Sequence, residues 1–396
     1  MRDPETGGGE ALARFEACLF AEPALQAALA RTVRDDEFLG LALAAAADRG
    51  IALTEDAVAR RVATDPLGLS RAAPPALLPA PPAGDWLPAA VRAGPDGALL
   101  VDWVHFADAP LVEPFFGVSL ERARARPINR AFPCATPLAG AADGRRPDGL
   151  IFHQSRCGST LVSAMLAAPP GATAVSEPAP LDVVVQLALS RALPGDRGVA
   201  ALRAVAGGYG RRAERAGGPF FVKLDSWHSR ALPLFRAAFP GTPWLFLFRD
   251  PVEILVSQMR MRGLQTVPEM MHRSWYGLEA DGEAPGEDYC ARVLGRIGEA
   301  ALEHRGLGGG LFVDYAELPG AVARRILPHF GIAPDGEAVA AMAAATARDA
   351  KAPYQRFTAD SDEKRAAAGE AALAAVETHM RPVHARLAAA ARETGG

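Results

Sequence analysis

Cysteine is scarce in this chain of 396 residues: Cys18, Cys134, Cys157 and Cys290 stand alone, without a C-x-x-C pair and without clustered histidines. A disulfide framework and a structural zinc site are therefore not expected, and no metal is required. Long apolar runs are missing too. The longest, Phe38 to Ala47, falls far short of the roughly 20 residues that a membrane-crossing helix needs. The start, MRDPETGGGE, is acidic and glycine-rich rather than a secretory signal, so a cytoplasmic protein is expected. Neither sign of charge dominates. A net charge of −4 with 22% charged and 49% hydrophobic residues describes a globular protein, with no nucleic acid and no membrane as partner.

What is present begins with helices. Between Phe15 and Arg61 the residues Phe15, Cys18, Leu19, then Leu25, Ala28, Leu29, then Phe38, Leu41, Ala42, Ala45 recur at the spacing of amphipathic helices. Asp35 is the expected N-cap before Phe38, and Thr54 with Glu55 and Asp56 opens a further short helix. The pieces FEACLFAEPALQAALA and RDDEFLGLALAAAADRGIALTEDAV resemble the leader-like helical domain of precursor peptides of ribosomal natural products, which implies a place in natural-product biosynthesis. The stretch DPLGLSRAAPPALLPAPPAG then reads as a semi-extended linker. Four regions are expected: a small all-α module over 1–65, a proline-rich linker over 66–84, an accessory segment over 85–147 packed on the main domain, and an α/β domain over 148–396 with C-terminal helices.

After Asp148 apolar runs alternate with helical stretches. Leu150 to His153, Ala172 to Ser176, Phe220 to Leu224, Trp244 to Phe248 and Leu311 to Val313 read as buried strands of a parallel sheet with helices on both faces. Sites in such sheets lie at the carboxyl ends of the strands. Ser155-Arg156-Cys157-Gly158-Ser159-Thr160 occupies one such end, directly before a helical stretch. Free backbone N–H groups, the helix dipole, two hydroxyls and Arg156 make it an anion cradle. The Gly-Lys step of kinases and ATPases is absent, because Ser159 follows Gly158. Arg249-Asp250-Pro251 follows another strand, with Asp250 as N-cap, Pro251 at the first helical position and Ser257 on the helix, so that Arg249 and Ser257 can share a phosphate. Glu177, between Ser176 and Pro178, is a surface charge or a base aimed into the cleft, and Pro178 predicts an extended backbone there. Lys223 ends a buried strand, where an ammonium group needs an anion, and Asp225 and His228 follow it.

SRCGSTLVSAML resembles the 5′-phosphosulfate loop of the sulfotransferase family, on the branch of the tyrosylprotein sulfotransferases, which carry Arg at the position of Arg156. The spacing of Arg249 and Ser257 is similar to that family's 3′-phosphate motif, and LFVDYAEL resembles its late strand and turn, with Asp314 in place of a basic residue. The resemblance implies a P-loop NTPase-like α/β fold and 3′-phosphoadenosine 5′-phosphosulfate as donor. It assigns Ser155, Arg156, Cys157, Gly158, Ser159, Thr160, Arg249 and Ser257 to the nucleotide, with Lys351 and Arg356 on a loop over it. It makes Glu177 the general base, beside Arg156 and Lys223. Asp225 takes the place of the catalytic histidine of cytosolic members, which leaves Asp225 and His228 as alternative bases. The implied acceptor is a hydroxyl or amine on a small molecule or peptide, and a homodimer is allowed. Two other readings stay open: a P-loop small-molecule kinase, and an inactive peptide-binding adaptor.

Overall fold

The computed structural model describes residues 4–63, 74–140, 144–278, 286–346 and 361–394. The chain divides into two compact units, each with its own sheet.

The first unit takes the chain up to Pro110, then Phe116–Gly144 and Ala204–Arg212. The helices Pro4–Ala21, Pro23–Ala30, Asp35–Ala47 and Glu55–Val62 precede a mixed sheet of β1 (Ala76–Leu77), β2 (Trp86–Ala93), β3 (Leu99–His105) and β4 (Cys134–Pro137), ordered β1-β4-β3-β2. Thr54 caps its helix as expected, accepting from the Ala57 N–H. At the preceding helix Arg34 stands at the cap, and Asp35 is instead the first helical residue, its carboxylate paired with Arg130. The end of the proline-rich stretch forms a strand rather than a linker: Ala76 and Leu78 donate to the carbonyls of Pro133 and Ala135 at 2.9 and 2.8 Å. The helices and the segment after them share one core. Trp86 Nε1 donates to the buried Gln26 side chain at 3.0 Å, and Phe132 packs on both Phe15 and Phe38.

The second unit takes Leu111–Phe115, Arg145–Arg203 and the chain from Ala213 onward. Its sheet holds β5 (Gly149–His153), β6 (Thr173–Ser176), β7 (Phe220–Lys223), β8 (Trp244–Phe248) and β9 (Gly310–Asp314), all parallel and ordered β6-β7-β5-β8-β9. Every strand expected after Asp148 is there. Pairing of Leu150 with Trp244, Ile151 with Leu245 and Phe152 with Phe246 sorts the side chains by parity. One face is aromatic, with Phe152, Phe235, Trp244, Phe246 and Phe312 in edge or tilted contact. The other is aliphatic: Ile151, Leu245 and Leu247 join Val162 and Leu166 of the helix Ser159–Ala167, Leu255 of the helix Pro251–Arg260 and Leu294 of the helix Gly286–Glu303. β5 lies at the centre, and the chain leaves it toward β6 but leaves β8 toward β9. The strand order therefore reverses between β5 and β8, and the carboxyl ends of these two strands are where such sheets hold their ligands. Among the described residues no helix is long and apolar enough to cross a membrane.

Candidate active site

β5 ends at His153, and the turn after it is left-handed at Ser155 (φ 71°), Arg156 (φ 50°) and Gly158 (φ 84°). Such conformations cost residues with side chains roughly 1 kcal/mol or more each, and they persist where surrounding bonds enforce them. Those bonds are present. The Ser155 N–H donates to His153 Nδ1 at 3.0 Å, Gln258 Nε2 donates to Ser155 Oγ at 2.7 Å, and the buried Cys157 thiol donates to the Leu247 carbonyl at 3.2 Å. Gly158 caps the helix Ser159–Ala167, and a Cβ there would lie 2.7 Å from the Tyr315 ring and 2.8 Å from Leu318. The first turn of that helix carries the buried hydroxyls of Ser159 and Thr160, the groups that the sequence reading assigns to an anion.

The second cradle follows β8. Asp250 accepts from the N–H groups of Val252 and Glu253 at 3.0 and 3.2 Å, with Pro251 in the first helical turn, as its sequence predicts. Arg249 is buried rather than open. Its Nε donates to Glu253 Oε2 at 2.6 Å, its guanidinium lies 4.0 Å above the Tyr315 ring, and Glu253 also meets Arg365 at 2.7 Å. Ser257 lies further along the same helix. Arg156 Nη2 donates to the Met261 carbonyl at 2.7 Å, just past that helix, so the two cradles are tied together by Arg156 and by Gln258.

Between β6 and β7 sits a buried ion pair. Lys223 is fully buried, and its Nζ lies 2.9 Å from Glu177 Oε1 and 3.5 Å from both Thr160 Oγ1 and the Pro114 carbonyl. Glu177 is left-handed (φ 50°), not extended as Pro178 suggested, and its N–H donates to the Lys223 carbonyl at 2.7 Å. His153 Nε2 approaches the same carboxylate oxygen to 3.4 Å. Burial pushes the Glu177 carboxyl up, but the Lys223 charge and the His153 contact outweigh it and hold it at about 2. Burial lowers His153 below its ordinary value against the pull of Glu177, which leaves the ring neutral.

Solved structures share a similar fold. The chain is similar to the sulfotransferase domain from the curacin biosynthetic pathway, at 16% identity over 50% of this chain and 78% of that one with a TM-score of 0.34. It is similar to the sulfotransferase domain of the Synechococcus PCC 7002 olefin synthase, at 18% identity over 60% and 95% with a TM-score of 0.38. A third is the sulfotransferase STF9 from Mycobacterium avium, at 15% identity over 61% and 78% with a TM-score of 0.34. All three are sulfotransferases. No protein-family model and no curated protein matches the chain.

Asp225 and His228, expected from sequence as alternative bases, follow β7. His228 is buried in a short 3-10 turn, Ser226–Ala231, with its Nε2 2.9 Å from Asp182 Oδ1 and 3.9 Å from Asp225 Oδ2. It is thus part of a hydrogen-bonded cluster. Trp227 Nε1 holds the same Asp182 oxygen at 3.0 Å, and Gln186 holds the other at 2.5 Å. Burial lifts the Asp225 carboxyl to about 7, opposed by His228 and Lys223 and reinforced by Glu177 and Asp182. Asp182, Gln258, Glu253 and Tyr315 were not singled out from sequence. Tyr315 had a usable signal, an aromatic residue directly after β9, whereas Asp182 reads as one more charge on a helix. Lys351 and Arg356 lie outside the described residues.

Proposed function

We propose that the chain transfers a sulfuryl group from 3′-phosphoadenosine 5′-phosphosulfate to a hydroxyl or amine acceptor by in-line displacement. The observation that carries this reading is the pair of anion cradles on the neighbouring strands β5 and β8, tied to each other and flanked by a buried Lys223–Glu177 pair. The residues fit such a donor. A helix N-terminus with the buried Ser159 and Thr160 hydroxyls supplies hydrogen-bond donors for an anionic group, and Lys223 adds a fully buried ammonium. When bound, the donor supplies an electrophilic sulfuryl group on a phosphate leaving group. The turn from Ser155 to Thr160 then holds the 5′ side, Arg249 and Ser257 hold the 3′-phosphate, and Lys351 and Arg356 cover the nucleotide. Lys223 and Arg156 stabilise charge that grows on the transferred and leaving oxygens, and Glu177 takes the acceptor proton. A protein of the cytoplasm is in keeping with this chemistry.

Isothermal titration tests the reading. The protein is expected to bind 3′,5′-adenosine bisphosphate without magnesium. Preference for ATP with magnesium would replace it by a kinase, and binding of neither nucleotide by an adaptor.

A further inference from the structure

Residues 111–115 belong to the same unit as the parallel sheet, although the sequence places them far from it. They lie on the ammonium group of Lys223. The Pro114 carbonyl is 3.5 Å from Nζ, and the Phe115 ring centroid is 5.0 Å from it. Lys223 is in turn 2.9 Å from Glu177, so the phenyl ring stands beside the ion pair that the transfer reading places at the reacting atoms. Phe115 is nevertheless 37% exposed and its neighbour Val112 is 62% exposed. On the other cradle, Met261 is hooked to Arg156 through its carbonyl while its side chain is 67% exposed, and Leu264 follows at 65%.

Single exposed apolar residues are common and need no explanation. Here, however, a solvent-open ring is fixed at a reacting centre, with a second apolar pair just beyond the phosphate loop. We propose that Phe115 selects the acceptor, and that the acceptor is an alcohol or phenol whose hydroxyl is carried on an apolar body. This rests on the sulfuryl-transfer reading. A hydroxyl between Glu177 and the donor leaves the rest of its molecule to lie against what borders the pair, and Phe115 offers that body a flat apolar face. A sugar or a peptide backbone needs hydrogen-bond partners for each of its own polar groups, and the Phe115 ring supplies none.

The test uses 2-naphthol and N-acetylglucosamine as probes, the full chain, and the variants Phe115→Ala and Phe115→Leu. Binding of 2-naphthol to the complex with 3′,5′-adenosine bisphosphate is followed by titration, and turnover by labelled donor. The expected result is turnover of 2-naphthol well above the sugar. Phe115→Ala should weaken naphthol binding and raise its KM roughly tenfold, as loss of a stacked ring does, with the smaller change in kcat and with nucleotide affinity kept. Phe115→Leu should recover part of the loss, which a damaged Lys223 would not allow. Preference for the sugar, or equal naphthol affinity in the parent and Phe115→Ala, overturns the proposal while nucleotide binding leaves the transfer reading standing. Failure to bind the nucleotide at all removes both.

Discussion

At the residue scale the decisive groups differ in how far sequence could take them. Lysine occurs only at 223, 351 and 364, and Lys223 interrupts an apolar strand, so its need for an anion was legible. Glu253 was not legible, and it changes what a variant of Arg249 reports. Arg249→Ala leaves the buried Glu253 carboxylate with Arg365 but without its charged hydrogen bond to Arg249, and should cost about 2 kcal/mol of stability, read by urea unfolding, in addition to weakening the nucleotide. Ser257→Ala is the cleaner probe of the 3′-phosphate. It should lower affinity for adenosine bisphosphate by about 1 kcal/mol, and titration showing no loss would remove Ser257 from the site. For the base, Glu177→Gln should slow turnover roughly a hundredfold with donor binding nearly kept, and Asp225→Asn should retain more activity. If Asp225→Asn or His228→Ala is the dead variant and Glu177→Gln the active one, the proton goes to the other cluster. Asp225 also has a stability signature. Its folded carboxyl titrates above an unfolded one, so the folded state holds the extra proton and loses that stabilisation as pH rises toward about 7. Asp225→Asn should therefore gain melting temperature relative to the parent as pH rises from about 4 to about 7, and a difference that stays flat over this range contradicts the buried carboxyl.

At the element scale, strands were easier to read than the turns that join them. The five apolar runs after Asp148 all became strands of one parallel sheet because burial on both faces leaves an unbroken apolar signal. Asp250 and Pro251 announced their helix through cap chemistry that is local in sequence. Gln258 acts on Ser155 from 103 positions away, and no local pattern marks such a bond. Glu177 shows the opposite failure, since it adopts a left-handed backbone where the local rule for residues before proline predicts an extended one. β1 was missed in a proline-rich run because β4 supplies its partners from elsewhere in the chain. Gly158 links the turn to β9 through the Tyr315 ring, and Arg249 rests on the same ring. Gly158→Ala should then destabilise by about 2 kcal/mol, from left-handed strain and the displaced ring, and should weaken nucleotide binding at both cradles at once. Thermal melts and titration check this, and an unchanged affinity would separate the two cradles energetically.

At the scale of the whole molecule, the parallel sheet was legible, while the grouping of the amino-terminal helices with β1 to β4 was not. Gln26 and Phe132 decide that grouping by packing, and neither carries a motif. The ion pair between Lys223 and Glu177 has a bearing on timing. While the ammonium faces it, the carboxylate is too weakly basic to draw a proton from an alcohol; once Lys223 turns to an incoming anion, the same carboxylate is left in a poorly solvated place and its basicity climbs. On the proposed sulfuryl-transfer reading, the base is thus armed by the arrival of the first substrate. Catalysis should follow a compulsory order, donor before acceptor, with adenosine bisphosphate inhibiting competitively against donor alone; product-inhibition kinetics showing random order would rule this out. An enzyme wired in this way leaves alcohols untouched until there is something to transfer to them.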